Sequence, residues 1–220
     1  MTVVDDLLTS VRDALPSAVA LNFTSATDPW DIFEAYTFAL IVKAARADGY
    51  TVSYHGLKTV GGSAQFVFRR SPGSIWSPHF SYVHLSHGLS VPLELHVGVR
   101  IQGQSGVAHE ADVAAIDAGE ASQARANRFA PRSRGLLFLF ECKYYATDLG
   151  LGILRGYLGL ALDLRSHSAE HWLVSNVSHP ELPSLLKHHN KLWADEVLPA
   201  SEGEADLLRQ VQSRLRRHRR

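Results

Sequence analysis

Cysteine is almost absent from this chain of 220 residues, which contains only Cys142. A single thiol excludes an internal disulfide and a zinc site built from several cysteines, and it suits a reducing compartment. Neither sign of charge is in excess, because 22 basic and 22 acidic residues give a formal net charge of zero. The protein as a whole is therefore not a polycation, and any basic surface must be local.

Long hydrophobic runs and several familiar motifs are also missing. No apolar segment approaches the roughly 20 residues that span a bilayer, and the N-terminus, MTVVDDLLTS, has early acids in place of a basic stretch and an apolar block. The sequence contains no Gly-x-x-x-x-Gly-Lys loop, no dinucleotide-binding glycine pattern and no His-Glu-x-x-His motif. These absences disfavour nucleotide-driven motors, dinucleotide enzymes and zincins. The lack of a long apolar run and of a leader-like N-terminus predicts a soluble, cytoplasmic protein without a membrane partner.

Periodicity and punctuation predict a mixed α/β fold. Helices are expected at Val3–Leu15, from an N-cap at Thr27 or Asp28 to Gly49, and at about Leu149–Leu164. Strands are expected in YTVSYHGL, AQFVFRR, FSYVHLS, LELHVGVRI, HEADVAAI, GLLFLFECKYY and HWLVSNV. The prediction is one α/β domain over residues 1–180, with a central mixed β-sheet flanked by helices, followed by a C-terminal helical extension with a basic tail over residues 181–220.

Charged residues end the most hydrophobic of these strands. Because side chains alternate along a strand, Leu139, Glu141 and Lys143 share one face, while Phe140 and Cys142 take the other. Ends of central strands in α/β sheets open into crevices where ligands bind. A partly buried pair without a function would add little stability, although a surface salt pair is the simpler alternative. Cys142 faces away from the charged pair and is expected to be a core residue.

A second acidic residue interrupts another apolar strand. Asp112 lies within HEADVAAI, and alternation places it on one face with Glu110, Ala114 and Ile116. A buried aspartate needs a partner, which could be a metal ion, backbone amides or an arginine. Asp112 and Glu141 on adjacent strands would form an all-oxygen site suited to Mg²⁺ or Mn²⁺. Glu34 lies in an apolar stripe of the helix that precedes the strands.

Asp112 followed by Glu141-Cys142-Lys143 resembles the PD-(D/E)xK nuclease superfamily, also called restriction-endonuclease-like. The order of elements from about 28 to 177 is similar to that family, although Ala111 replaces the proline that names the motif. The resemblance implies a restriction-endonuclease-like core and metal-dependent hydrolysis of phosphodiester bonds, with DNA as the expected substrate.

The resemblance also implies a role for each site residue. Asp112 and Glu141 would hold Mg²⁺ or Mn²⁺, with the main-chain carbonyl of Cys142 as a further ligand. Lys143 would orient or help to deprotonate the attacking water and stabilise charge on the phosphate. Glu34 would bind the metal or its water shell.

Basic residues outside the motif are candidates for nucleic-acid binding. They are Arg155 and Tyr157 on the helix after the motif, Arg69 and Arg70, and the arginines of the C-terminal RQVQSRLRRHRR. That tail is either a phosphate-binding patch or a solvated helix end. Gly152, Gly156 and Gly159 form a stripe that is predicted to pack on the sheet, with close approach by a phosphate backbone as the alternative.

A different class of function remains open from the sequence. The same fold can serve as a catalytically inactive subunit that binds nucleic acid or another protein. The intact set of Asp112, Glu141 and Lys143 favours the enzyme, since a module that only binds does not need all three residues. A homodimer or a partner protein is compatible with either function.

Overall fold

The computed structural model describes residues 2–147, 149–166 and 169–219. Helices within these ranges are α1 (Val3–Ala14), α2 (Pro29–Ala47), α3 (Ala118–Asn127), α4 (Leu151–Asp163), α5 (Leu182–His188) and α6 (Glu202–His218). Strands there are β1 (Val19–Leu21), β2 (Thr51–His55), β3 (Lys58–Val60), β4 (Ser63–Phe66), β5 (Tyr82–Ser86), β6 (Leu93–Gln102), β7 (Ala108–Asp117), β8 (Leu136–Lys143), β9 (Glu170–Ser175) and β10 (Leu192–Ala194). The predicted α/β class is confirmed.

A seven-stranded mixed sheet forms the centre, in the order β10-β9-β8-β7-β6-β5-β2. Strands β8, β9 and β10 run parallel to one another, whereas the other neighbours are antiparallel. The predicted strand AQFVFRR ends earlier than expected, at Phe66, and it belongs to a separate three-stranded sheet in the order β1-β4-β3. Strand β8 lies inside the central sheet, which explains why its first half is apolar on both faces.

Helices cover both faces of the central sheet. On one face α1, α2 and α6 share a core with the sheet, and α2 is buried around most of its circumference. On the other face α3, α4 and α5 pack over β7, β8 and β9 in two further apolar clusters. None of the helices in the described ranges is both long and apolar enough to cross a bilayer.

The C-terminal segment contributes to the sheet and to its core. Residues 181–220, which the sequence suggested as a helical extension, include β10, which pairs in parallel with β9. Leu207, Val211 and Leu215 of α6 are buried in the same cluster as α2. Packing on α2, which carries Glu34, therefore connects this segment to the candidate site.

A break in the pairing of β6 with β7 positions Asp112. Pairing passes from Val97 and Val113 directly to Val99 and Ala111, so that Gly98 and Asp112 lie opposite each other where the ladder is interrupted. Gly98 has a φ of +60°, a conformation that glycine adopts without strain. Strict alternation would place Ala111 and Ala114 on opposite faces of the strand, but both pack in the same cluster. The alternation predicted across Asp112 is therefore wrong.

Candidate functional site

The carboxylate of Asp112 takes the place of a backbone acceptor at the end of β8. Regular pairing of β7 with β8 stops at Val113 and Phe140. The next N–H, that of Cys142, donates to Asp112 Oδ2 at 2.7 Å. Asp112 is only 7% exposed, and this bond supplies one of the partners that a buried carboxylate requires. The side chain of Cys142 is buried in the core, as predicted.

Three oxygens surround the ammonium group of Lys143. Its Nζ lies 2.6 Å from Glu141 Oε1 and 3.5 Å from Asp112 Oδ2, and it donates to the carbonyl oxygen of Cys142 at 3.1 Å. The three groups predicted as metal ligands therefore converge on one point, and the ammonium group of Lys143 occupies it. The alternation that places Glu141 beside Lys143 on β8 produces this arrangement.

Further carboxylates crowd the same region. Burial raises the pKa of Glu34 to about 10, and the charges of Asp112 and Glu110 add to this effect. Burial, followed by repulsion from Asp112, raises the pKa of both Glu110 and Glu141 to about 7. The site therefore holds more acidic groups than its nearby positive charge can balance.

Lys143 and the backbone offset part of the effect of burial on the pKa of Asp112. Burial raises the pKa of Asp112, while Lys143 and the N–H of Cys142 act in the opposite direction. Burial alone would lower the pKa of Lys143, but the charges of Asp112 and Glu141 outweigh it and raise that pKa. Lys143 is consequently held as an ammonium at neutral pH.

The oxygen set fits a hard divalent cation. Among the residues that the structure describes, no three His, Cys, Asp or Glu side chains form a preassembled metal cage. Mg²⁺ does not require one, because it is usually held by one or two carboxylates and keeps several of its waters. Asp112, Glu141 and the carbonyl of Cys142 could supply this number of ligands, and the surplus of acidic groups favours an added cation.

No protein-family model, curated protein or solved structure matches this chain. The resemblance described above therefore rests on the sequence motif alone.

Two acidic residues of the cluster were not assigned to the site from the sequence. Glu110 lies two residues before Asp112, and its charge acts on Glu34. Asp31 lies one turn before Glu34 on α2 and is 5% exposed. Their spacing from the two predicted carboxylates was the available signal: i, i+2 on a strand and i, i+3 on a helix.

The predicted basic contacts at Arg69 and Arg70 differ in exposure. Arg69 is 3% exposed, and its guanidinium donates to the carbonyls of Val97 and Ser74. Burial lowers the pKa of Arg69 to about 10. This placement speaks against direct contact with nucleic acid and indicates that Arg69 supports β6 beside Gly98. Arg70 keeps 56% of its side chain exposed while it pairs with Asp31.

The two predicted contact residues on helix α4 differ in exposure. Arg155 is exposed, whereas Tyr157 is 2% exposed and packs in an apolar cluster. A Cβ added at Gly152, Gly156 or Gly159 would meet nothing within 4 Å. The predicted packing of this glycine stripe on the sheet is therefore wrong, and the stripe lies on the open side of the helix.

Most arginines of the C-terminal tail are engaged by carboxylates. Arg216 and Arg219 both pair with Asp48, Arg217 pairs with Glu170, and Arg209 pairs with Asp206. Arg214 also lies beside Glu170, and Arg220 lies outside the described residues. The pairs with Asp48 and Glu170 tie α6 to the body of the protein, so the tail is not simply a solvated helix end.

Neutralising Glu34 should stabilise the metal-free protein. The folded state holds the pKa of Glu34 near 10, above its ordinary value of 4.5, so the cost of ionisation appears as pH rises above that ordinary value. We expect Glu34→Gln to raise the free energy of unfolding at pH 8 by about 1 kcal/mol, and to have little effect at pH 4. Urea denaturation at both pH values measures this.

Glu181, which is exposed and directly precedes α5, supplies the control. Glu181→Gln should change stability by less than about 0.5 kcal/mol at either pH. Equal effects of the two substitutions, or a loss of stability in Glu34→Gln at pH 8, would contradict the pKa that burial and the neighbouring charges raise at Glu34.

Proposed function

We propose that this protein is a Mg²⁺- or Mn²⁺-dependent nuclease of the PD-(D/E)xK type that hydrolyses phosphodiester bonds, with DNA as the expected substrate. The observation that carries the proposal is the convergence of Asp112, Glu141 and the Cys142 carbonyl on the ammonium of Lys143. The neighbouring strands β7 and β8, with α2 packed against them, are consistent with a restriction-endonuclease-like core.

The residues divide the chemistry between them. A divalent cation held by Asp112 and Glu141 would supply the charge that polarises the phosphate and activates a water. Glu34 lies where it could accept hydrogen bonds from water around that cation. When these carboxyls lose their protons the site would become anionic, so a bare phosphate would be repelled until a cation is bound.

Lys143 acts as a donor in this mechanism. Because its pKa is raised, the side chain keeps its proton at the pH at which the carboxylates are ionised. The ammonium can hold the attacking water or a non-bridging phosphate oxygen and stabilise the negative charge that develops during displacement. We therefore favour an electrostatic and orienting role for Lys143 over that of a general base.

Exposed groups around the acidic cluster are suited to a nucleic-acid chain. Trp30 is 56% exposed and lies one helical turn before Glu34, on the same face of α2. Arg70 is 56% exposed and pairs with Asp31 near the start of that helix, and aromatic and cationic groups together can bind bases and phosphates. On α4, Arg155 and the open glycine stripe permit close approach of a backbone.

A cleavage assay on purified protein tests this function. We expect hydrolysis of DNA with Mg²⁺ or Mn²⁺ and none with EDTA, and we include an RNA substrate to define the substrate class. The rate should rise as pH increases through about 7, because Glu141, whose pKa is raised to about 7 by burial and by Asp112, must lose its proton to bind a cation. Tight binding of nucleic acid without cleavage under all of these conditions would favour the inactive binding subunit.

A further inference from the structure

A hydroxyl group without a partner is buried behind the candidate site. Tyr157 on α4 is 2% exposed, and within the described ranges its hydroxyl oxygen has no hydrogen-bond partner. The ring packs with Leu154, Leu173 and Leu182 in the cluster that α4 and α5 form over the sheet. Buried hydroxyls in proteins are nearly always bonded, so this one indicates a partner that the present arrangement does not engage.

The register of the sheet pairs Glu141 with a residue of the cluster that contains Tyr157. Leu173, which packs in the same cluster as the tyrosine ring, is the direct partner of Glu141 in the parallel pair of β8 and β9. The pKa of Tyr157 is raised by burial and then by the charge of Glu141. The charge of Glu141, on β8, therefore acts on the Tyr157 hydroxyl.

Glu141 has another partner in the structure as it stands. Its Oε1 lies 2.6 Å from Lys143 Nζ, and the charges of Asp112 and Glu110 act on it from β7. If Lys143 turns to a phosphate or a water during the reaction, Glu141 loses its only nearby donor on β8. A ligating carboxylate then needs another donor to hold its orientation.

We propose that Tyr157 is a positioning residue whose hydroxyl donates a hydrogen bond to the carboxylate of Glu141 when Lys143 releases it. This inference rests on the proposed function, because it treats Glu141 as a metal ligand. Tyr157 then contacts neither the substrate nor the cation and acts through Glu141. Its burial, which made it a poor candidate for a direct phosphate contact, is what this role requires.

Calorimetric titration with Mn²⁺, in the absence of nucleic acid, tests this role without depending on turnover. Tyr157→Phe removes the hydroxyl and keeps the ring that packs against Leu173. Loss of an outer donor to a ligand typically weakens metal affinity by about 10-fold or more, so we expect about a 10-fold higher Kd for Mn²⁺. In the cleavage assay the Mn²⁺ concentration for half-maximal rate should rise by a similar factor, and the rate at saturating Mn²⁺ should recover.

Tyr50→Phe is the matched control, because the Tyr50 hydroxyl is also in the core but donates to the carbonyl of Leu215, on the α6 side of α2. It should leave the Kd for Mn²⁺ unchanged. An unchanged Kd in Tyr157→Phe, or equal weakening in both variants, would overturn the role of Tyr157 alone. Failure of the unmodified protein to bind Mn²⁺ would overturn the proposed function and this role with it.

Discussion

Replacing Lys143 with alanine is expected to lower the rate of metal-dependent cleavage by about 100- to 1000-fold, the usual cost of removing one donor that stabilises a charged transition state. Lys143 Nζ is the cation within 3.5 Å of both Asp112 and Glu141. Without it, the water and the phosphate lose their donor. Single-turnover rates at saturating Mn²⁺ measure the effect on chemistry separately from binding.

Lys43→Ala provides a matched control for that loss. Lys43 pairs with Glu204 at 3.1 Å, so its removal also breaks an ion pair with a shielded carboxylate, but on the side of α2 that faces α6. We expect Lys43→Ala to retain the cleavage rate within about two-fold, as is usual for a substitution remote from the reacting groups. An unchanged rate in Lys143→Ala, or equal losses in the two variants, would contradict the role of Lys143.

Phe140→Ala is expected to destabilise the protein by about 3–5 kcal/mol, the range for removing a buried aromatic side chain. Phe140 is fully buried in β8, directly before Glu141. Its ring stacks on Trp172 of β9 with centroids 4.8 Å apart and an interplanar angle of 15°. Loss of this ring leaves a cavity under the strand that carries the site. The free energy of unfolding from urea titration measures the effect.

An exposed aliphatic residue gives the comparison for Phe140. Leu162 on α4 is 62% exposed, so Leu162→Ala should change stability by less than about 0.5 kcal/mol. A loss below about 1 kcal/mol in Phe140→Ala would show that β8 is not held by this core, because a well-packed aromatic cannot be removed so cheaply.

Local signals in the sequence were sufficient for the main elements. Pro29 and Gly49 delimit α2 as predicted, since proline fits the first turn and Gly49 adopts a positive φ of 82° beyond the end. The apolar start and charged end of β8 also predicted its place within the sheet. Both cases depend on residues that are close in the chain, where steric and periodic rules act directly.

Other features depend on contacts between distant segments and were not predictable in this way. The interruption opposite Gly98 arises from pairing between β6 and β7, so period-two reasoning gave the wrong neighbours for Asp112. Short strands such as β1 and β10 are defined by their partners, not by their own composition. The burial of Tyr157 depends on how α4 packs over β9, whereas helical spacing alone predicted that the glycine stripe of α4 would face the sheet.

The most direct test of the proposed metal site is anomalous diffraction from crystals grown with Mn²⁺. We predict one or two anomalous peaks between the carboxylates of Asp112 and Glu141, at the ligand distances of about 2.0–2.6 Å typical of oxygen-bound divalent cations, with the ammonium of Lys143 displaced from its present position between them. An ammonium still bound to both carboxylates at saturating Mn²⁺, with no peak beside them, would contradict the assignment of this cluster as a metal-dependent active site.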